Sequence, residues 1–390
     1  MFYCFKVIQE HRNFLRFLWY ANNAFENPLI EYRMTAHVFG NAPSPAVAIY
    51  GLRKAVESST ADVQSFVTRD FYVDDGLTST PNVAVAVSLI QRTQQSLSKN
   101  GGIRLHKVAF NSQEVLENFD RDDLAGDIRD LDLTTDCPPV QRSLGLHWDL
   151  ASDSFVFSTG ITGKAYTKRG LLSTINGIFD PIGFAAPVIL RGRLLFRDLN
   201  QSSGGWDDTL PEGRRQEWES WCSSLKQLHT CSIPRQYFPV TIYKDSEQEV
   251  HIFSDASKNA VAAVAFLRTK DTDNQFIASF ILGKAKVAPQ HGHTIPRLEL
   301  CAAVLATDLG RTISDQLDIP PGSMHFYTDS MVVLGYLHNR VRGLYVYLGN
   351  SVNRILRFSK ASQWSHVSSE RNPADEGTRC VNACDLQESM

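Results

Sequence analysis

The segment that most constrains the fold is Val250–Asp255 (VHIFSD), a largely apolar run that predicts a buried strand ending in a carboxylate. Two hairpin strands are predicted after it, at Ala260 to Leu267 and at Phe276 to Val287. Three further acids follow in comparable settings: Glu299 in the Pro-started helix IPRLELCAAV, Asp329 after the apolar run MHFYT, and Asp375 in RNPADEGTR. The acids therefore occur in the order strand, helix, strand and helical turn.

Each of these acids would be ordinary on its own, because a chain with 42 acidic residues must use many of them to cap helices or face water. None of the four has a lysine or arginine as its immediate neighbour. Carboxylates gathered from separate elements repel one another, and divalent cations relieve that repulsion. Such a set fits a two-metal nuclease, and the order of its elements resembles the ribonuclease H domain.

Composition and charge limit the number of domains, the mode of nucleic-acid binding and the cellular compartment that we expect. The chain has 390 residues, which predicts two or three domains, and its net charge of −3 gives no polybasic signature. Nucleic-acid binding must therefore come from local sites. Seven scattered cysteines, an odd number, indicate a reducing compartment, so we expect a cytoplasmic or nuclear protein. No apolar run approaches membrane-spanning length, and charges at Lys6, Glu10 and Arg12 argue against a signal peptide.

The N-terminal half alternates breaker residues with apolar segments. Gly40 and two prolines precede a helix predicted from about Pro45, and a second helix is predicted from Pro81 to Lys99. Between them, Ser65 to Gly76 predicts an apolar strand that turns at Asp74-Asp75-Gly76. Asp-Gly is a strong hairpin signal, so turn chemistry alone would account for both aspartates.

Several motifs in one order resemble the reverse transcriptase of Bel/Pao-type long-terminal-repeat retrotransposons. They are HVFGNAPSP, FYVDD, GGIRLHKVAFNS, LGLHWD and KRGLLSTINGIFDPIGFAAP, and KVAPQHGHTIPRLELCAAVLA and NPADEGTR resemble the ribonuclease H part of the same family. The resemblance implies metal binding by Asp74 and Asp75. It also implies nucleic-acid contacts from Phe39, Gly40, Tyr72, Leu144, Gly145 and Trp148.

The chain departs from the family pattern at its N-terminus. In the family, a metal-binding aspartate opens the motif whose tail here is MFYCFKVIQEHRNFLRFLW, and it would lie before Met1. The fingers that contact the incoming nucleotide would also precede Met1. Two-metal phosphoryl transfer needs acids from more than one element, so we expect polymerase activity to be lost in this chain. A retroelement protease and integrase are the further polyprotein parts that the resemblance implies.

The expected fold class is α+β, with a partial reverse transcriptase followed by a ribonuclease H-like mixed-sheet domain. We predict a palm at residues 1–155, a thumb or connection at 156–246, a ribonuclease H-like domain at 247–380 and a tail at 381–390. In the second segment, Trp218 and Trp221 share one helix face with two leucines. Stacking on bases is one role for these tryptophans, and core packing is the favoured one.

The predicted function is that of a ribonuclease H-type endonuclease, which hydrolyses RNA in RNA–DNA hybrids with Mg²⁺ or Mn²⁺. Its catalytic and metal-binding residues would be the four acids Asp255, Glu299, Asp329 and Asp375. The alternative is a catalytically inactive or host-adopted nucleic-acid-binding remnant that keeps the fold. A metal titration separates the two, because only the enzyme needs the acids to bind ions. The oligomeric state is left open by the sequence.

Overall fold

The structure of the protein is a computed structural model. It describes residues 1–129, 140–143, 145–157, 164–201, 204–237, 248–270, 275–290, 292–339, 341 and 343–386. The chain divides into two compact units, Met1–Ser152 and Asp153–Met390. Each unit has its own buried core.

The N-terminal unit combines helices with short antiparallel strand pairs. Its helices are α1 (Ser44–Ala55), α2 (Ala61–Arg69), α3 (Val83–Gly101), α4 (Gln113–Leu116) and α5 (Gly126–Arg129). Its strands are β1 (Arg16–Tyr20), β2 (Leu29–Arg33), β3 (Phe71–Tyr72), β4 (Asp75–Gly76), β5 (Val140–Ser143) and β6 (Leu146–Asp149). The pairs are β1 with β2, β3 with β4, and β5 with β6.

The strand predicted over Ser65 to Gly76 is largely wrong. Residues up to Arg69 belong to α2, and only a two-residue strand remains on each side of a turn at Val73 and Asp74. The reason is that Val63, Phe66 and Val67 recur at helical spacing and bury one face of α2. A short apolar run does not distinguish a buried helix from a strand by itself.

The C-terminal unit contains the longest strands and the longest helix. Its strands are β7 (Ser154–Val156), β8 (Ser232–Pro234), β9 (Glu249–Ala256), β10 (Ala260–Lys270), β11 (Phe276–Val287), β12 (Met324–Thr328) and β13 (Trp364–His366). Its helices are α6 (Lys168–Gly177), α7 (Ala186–Asn200), α8 (Arg215–Leu225), α9 (Ile295–Leu317), α10 (Met331–His338) and α11 (Val346–Leu356). The predicted first strand, hairpin and Pro-started helix are all confirmed.

The main sheet is mixed and has the strand order β11-β10-β9-β12-β13. Strands β11, β10 and β9 pair antiparallel, whereas β12 runs parallel to both β9 and β13. Val250 and Ile252 of β9 point into a core shared with Phe326 of β12 and with α9 to α11. Because β9 and β12 are parallel and in register, their polar carboxyl ends lie at the same edge of the sheet.

The edge strand β11 is covered by the segment that leads into α7 and by α7 itself. The Gly283 N–H donates to the Ile182 carbonyl at 2.8 Å, and the Arg193 guanidinium donates to the Ala285 carbonyl at 3.1 Å. An added Cβ on Gly183 would lie 1.9 Å from the Gly283 carbonyl oxygen, so only glycine fits there. An exposed strand edge invites pairing with other chains, and these contacts cap it.

A second core lies beneath α6, α7 and α8. Trp218 and Trp221 are 4% and 1% exposed, and the Trp221 indole N–H donates to the Val188 carbonyl at 3.0 Å. Core packing, the favoured prediction for these tryptophans, is therefore confirmed. Ala383 and Leu386, from the segment predicted as a tail, pack into the same core.

The α+β class and the mixed sheet agree with the prediction from the sequence. The assignment of residues 1–155 to a palm and 156–246 to a thumb or connection stays a prediction. Among the helices that the structure describes, none is both long enough and apolar enough to cross a bilayer.

Candidate active site

Two of the predicted acids are neighbours because their strands are neighbours. Asp255 lies near the end of β9, and Asp329 follows directly after β12. The two strands are parallel, with Thr328 beside Ser254 in register, so the next residue of each strand falls at the same sheet edge. Carboxyl ends of parallel strands are where open α/β sheets bind ligands.

The third acid, Glu299, is supplied by α9, which packs closely across the sheet. Pro296 lies in the first turn of α9, where its missing N–H costs no intrahelical hydrogen bond. Gly310 permits the close approach, since an added Cβ would lie 3.1 Å from Ile252 Cδ1. Glu299 thus sits on the buried helix face at the end nearest the two aspartates and is 8% exposed.

The three carboxylates form a compact cluster. Asp255, Glu299 and Asp329 each offer an oxygen within 4.8 Å of the others. Glu299 Oε2 and Asp329 Oδ1 are buried without a hydrogen-bond partner in the part of the chain that the structure describes. Buried carboxylate oxygens without partners are costly, and a bound cation would satisfy them. An all-oxygen donor set suits a hard cation such as Mg²⁺.

Burial and mutual repulsion raise the proton affinity of this cluster. Burial first, then the charges of Asp329 and Asp255, raise the pKa of Glu299 to about 8. Burial is also the largest cause that raises the pKa of Asp255, and the neighbouring charges of Asp329 and Asp375 add to it. A carboxyl group held protonated near neutral pH must release its proton before it can bind a metal.

Asp375 lies beside this cluster without being one of its three members. It ends the 3-10 turn Pro373–Asp375, and its Oδ2 is 2.8 Å from Arg379 Nη2. The Thr378 hydroxyl, which donates to Asp255 Oδ2, also lies 3.0 Å from the Asp375 carbonyl oxygen, so the two acidic residues are neighbours. The charge of Asp375 contributes to the raised pKa of Asp255. The structure therefore brings three of the four predicted catalytic acids together and leaves the fourth in an ion pair.

Three non-acidic residues of the terminal segment, Asn372, Gly377 and Thr378, hold this segment against the sheet. The Asn372 side-chain amide donates to the Ser254 carbonyl at 3.0 Å, and the Thr378 hydroxyl donates to Asp255 Oδ2. An added Cβ on Gly377 would lie 2.6 Å from Ala262 Cβ, so the segment approaches β10 closely. The sequence patterns above do not single out these residues, although all three flank Asp375 in the motif RNPADEGTR.

Asp74 and Asp75 lie in and after the turn of the β3–β4 hairpin and are both exposed. Although Asp75 is exposed as a residue, partial desolvation of its carboxyl group first, and then the charge of Asp74, raise the pKa of Asp75. Among the described residues, the three-acid group named above is the one whose ligand atoms lie close enough together to hold a metal ion, and it includes neither aspartate. Tyr72 pairs with Asp75 across the hairpin and is 72% exposed.

The remaining predicted nucleic-acid contacts are scattered through the N-terminal unit. Phe39 is 72% exposed, and Gly40 follows it with a φ of +91° just before α1. Gly145 turns the chain between β5 and β6 with a φ of +86°, whereas Leu144 lies outside the described residues. Trp148 is 6% exposed, so its indole packs inside the protein. The nucleic-acid role of all these residues stays a prediction.

Residues 167–330 match the family model described as the Pao retrotransposon-like RNaseH-like domain. This match confirms the resemblance to Pao-type retroelements found in the motifs. The matched region includes Asp255, Glu299 and Asp329 and ends before Asp375. It also begins well before β9, so the family domain takes in α6 to α8.

Solved structures give weaker similarities. The foamy viral protease-reverse transcriptase in complex with double-stranded DNA is 12% identical, with 94% of this chain and 65% of that chain covered and a TM-score of 0.49. The N-terminal RNase H domain of a Mycobacterium tuberculosis protein is 15% identical over 36% of this chain and 95% of that chain, with a TM-score of 0.24. RNase H1 of Halobacterium salinarum is 12% identical over 37% and 98%, with a TM-score of 0.23. A search of curated protein sequences found no match.

Proposed function

We propose that the C-terminal unit is a divalent-metal-dependent nuclease that hydrolyses the RNA strand of RNA–DNA hybrids. The observation that carries the proposal is the buried cluster of Asp255, Glu299 and Asp329, in which two carboxylate oxygens have no hydrogen-bond partner among the described residues. The RNaseH-like description of the matching family supports the hybrid as the substrate. Mg²⁺ or Mn²⁺ would be the cofactor.

Each acid has a distinct part in this proposal. Asp255 and Asp329 would hold a divalent ion from the ends of adjacent parallel strands, and Glu299 would close the site from α9. Asp375 would be the fourth ligand. Bound divalent ions supply activation of the attacking water and stabilisation of the leaving 3′ oxygen. The Thr378 hydroxyl and the Ser369 hydroxyl, which is 2.6 Å from Asp329 Oδ2, would orient two of the carboxylates.

Polymerase activity is not part of the proposal. Asp74 and Asp75 are exposed on a short hairpin, and in the described part of the chain no third carboxylate joins them in a metal-sized group. A dyad alone balances the charge of two divalent ions poorly. The palm, thumb and ribonuclease H boundaries given in the sequence analysis are retained as proposals.

The proposal is tested with a labelled RNA–DNA hybrid, Mg²⁺ and the purified chain. Asp329→Asn should lower cleavage by at least about 100-fold, because an amide replaces an anionic ligand of nearly the same size. Asp315→Asn is the matched control, since Asp315 is an exposed acid on α9 outside the cluster. The control should cleave like the wild type.

Two other results would favour the alternative, a nucleic-acid-binding remnant. One is a wild-type chain that binds the hybrid and shows no metal-dependent cleavage. The other is cleavage that survives Asp329→Asn at the wild-type rate, which would point to a contaminating nuclease and remove Asp329 from the site.

A further inference from the structure

Asp375, the fourth predicted acid, forms an ion pair with Arg379 of the same terminal segment. Arg379 Nη2 lies 2.8 Å from Asp375 Oδ2, four residues further along the chain. The side chain of Arg379 is 69% exposed and that of Asp375 is 23% exposed. Asp375 therefore lies partly buried beside the three-acid cluster while its carboxylate is paired with an arginine that reaches in from solvent.

The backbone that carries this pair is held in place. The Asp375 N–H donates to the Asn372 carbonyl at 3.0 Å, and Asn372 is itself bonded to the Ser254 carbonyl of β9. The Arg379 N–H donates to the Asp375 carbonyl at 3.1 Å. A carboxylate on a fixed backbone can change partners by rotating its side chain, without a movement of the segment.

We propose that Arg379 is a positioning residue that holds the Asp375 carboxylate in an ion pair beside the acid cluster in the metal-free protein, and that divalent-cation binding exchanges this ion pair for a metal ligand. The inference rests on the proposed function, since it concerns the same metal site. Without metal, a fourth free carboxylate would add to the repulsion among Asp255, Glu299 and Asp329. With metal, the positive charge of the site attracts Asp375 and repels the guanidinium.

The exchange predicts a small and specific effect on metal affinity. Ion pairs with an exposed partner contribute little, so releasing Asp375 from Arg379 should tighten Mg²⁺ binding by about two- to fivefold. Arg379→Gln removes the charge and keeps much of the side-chain length. Arg379→Lys keeps a charge that can pair with Asp375, so its affinity should stay near the wild-type value.

The test is calorimetric titration of the full chain with Mg²⁺ in the absence of nucleic acid. Arg371→Gln is the matched control, because Arg371 is an exposed arginine of the same terminal segment and lies four residues before Asp375. It should leave the affinity unchanged. A second comparison places Arg379→Gln in an Asp375→Asn background, where the tightening should disappear because the competing carboxylate is gone.

The outcomes separate this inference from the proposed function. Equal Mg²⁺ affinity in the wild type and Arg379→Gln would overturn the exchange and leave the metal site standing. Equal tightening in Arg371→Gln, or tightening that persists in the Asp375→Asn background, would show a general charge effect and also overturn it. A wild-type chain that binds no Mg²⁺ would overturn both proposals.

Discussion

Replacing Glu299 by glutamine should make the metal-free C-terminal unit more stable at pH 8 than the wild type. Burial and two neighbouring aspartates raise the pKa of Glu299 to about 8, against an ordinary value of 4.5. Below pH 4.5 the carboxyl group is protonated in both the folded and the unfolded protein. Between pH 4.5 and 8 only the unfolded protein releases the proton, so the wild type loses stability as the pH rises.

The size of the effect follows from the pKa difference. A difference of about 3.5 at 1.36 kcal/mol per pH unit sets an upper limit of about 5 kcal/mol. Because Asp329 is only half-buried, solvent reaches the edge of the cluster and screens part of this electrostatic free energy. We therefore expect the advantage of Glu299→Gln to grow by about 2 to 4 kcal/mol between pH 4.5 and pH 8. Above pH 8 it should stay constant.

Amide hydrogen exchange in EDTA, measured on peptides from α9 and β9, reports the local free energy of opening at each pH. Glu370→Gln is the control, because Glu370 is exposed and lies outside the cluster. The stability of Glu370→Gln relative to the wild type should not change with pH. The reasoning fails if the difference between wild type and Glu299→Gln is constant from pH 5 to pH 8 or if the variant is the less stable protein. Adding Mg²⁺ at pH 8 should stabilise the wild type and leave Glu299→Gln unchanged.

Two further predictions concern contacts that hold the site and its sheet. Thr378→Val should weaken Mg²⁺ binding by about tenfold, because Asp255 loses the hydroxyl that orients it, and calorimetry should show Thr378→Ser to be near the wild type. Gly183→Ala should destabilise the protein by about 3 kcal/mol or more in urea melts, because its φ is +75° and its Cβ would meet the Gly283 carbonyl. Gly213→Ala, where no atom of the described residues lies within 4 Å of an added Cβ, should change little, and a similar loss at both glycines would contradict the steric argument.

The sequence predicted the parts of the fold that local patterns determine. The bounds of strand β9 and of the β10–β11 hairpin agree with the prediction within a few residues, and the start of α9 agrees with the helix-starting proline, because long periodic segments and such a proline leave few alternatives. The segment around Phe66 failed for the opposite reason. Its apolar run is short, and the tertiary packing of α2 decided between helix and strand.

The order of strands and helices in the sequence indicates which acids can come together, and three of the four predicted acids do lie together. Asp255 and Asp329 meet because two parallel strands are in register, and Glu299 joins them because α9 crosses the same sheet. The contacts that position Asp375 arise differently, from the side chains of Asn372 and Thr378 in a turn without regular periodicity. No local pattern in the sequence predicts such contacts, although a polar residue beside a candidate ligand is a place to look for them.

The three-acid cluster and Asp375 are held by different kinds of contact, so they should respond differently to substitution. Strand register and helix packing hold the three-acid cluster, so substitutions in the turn Pro373–Asp375 should leave Asp255, Glu299 and Asp329 together and able to bind a cation, whereas loss of the Thr378 hydroxyl should weaken that binding without separating the acids. Asp375 depends on one turn and is shared with Arg379, so its position responds to changes that the rest of the site does not feel. Loss of hybrid cleavage with metal binding retained is therefore the expected result of damage to that turn. Loss of both is the expected result of damage to the sheet.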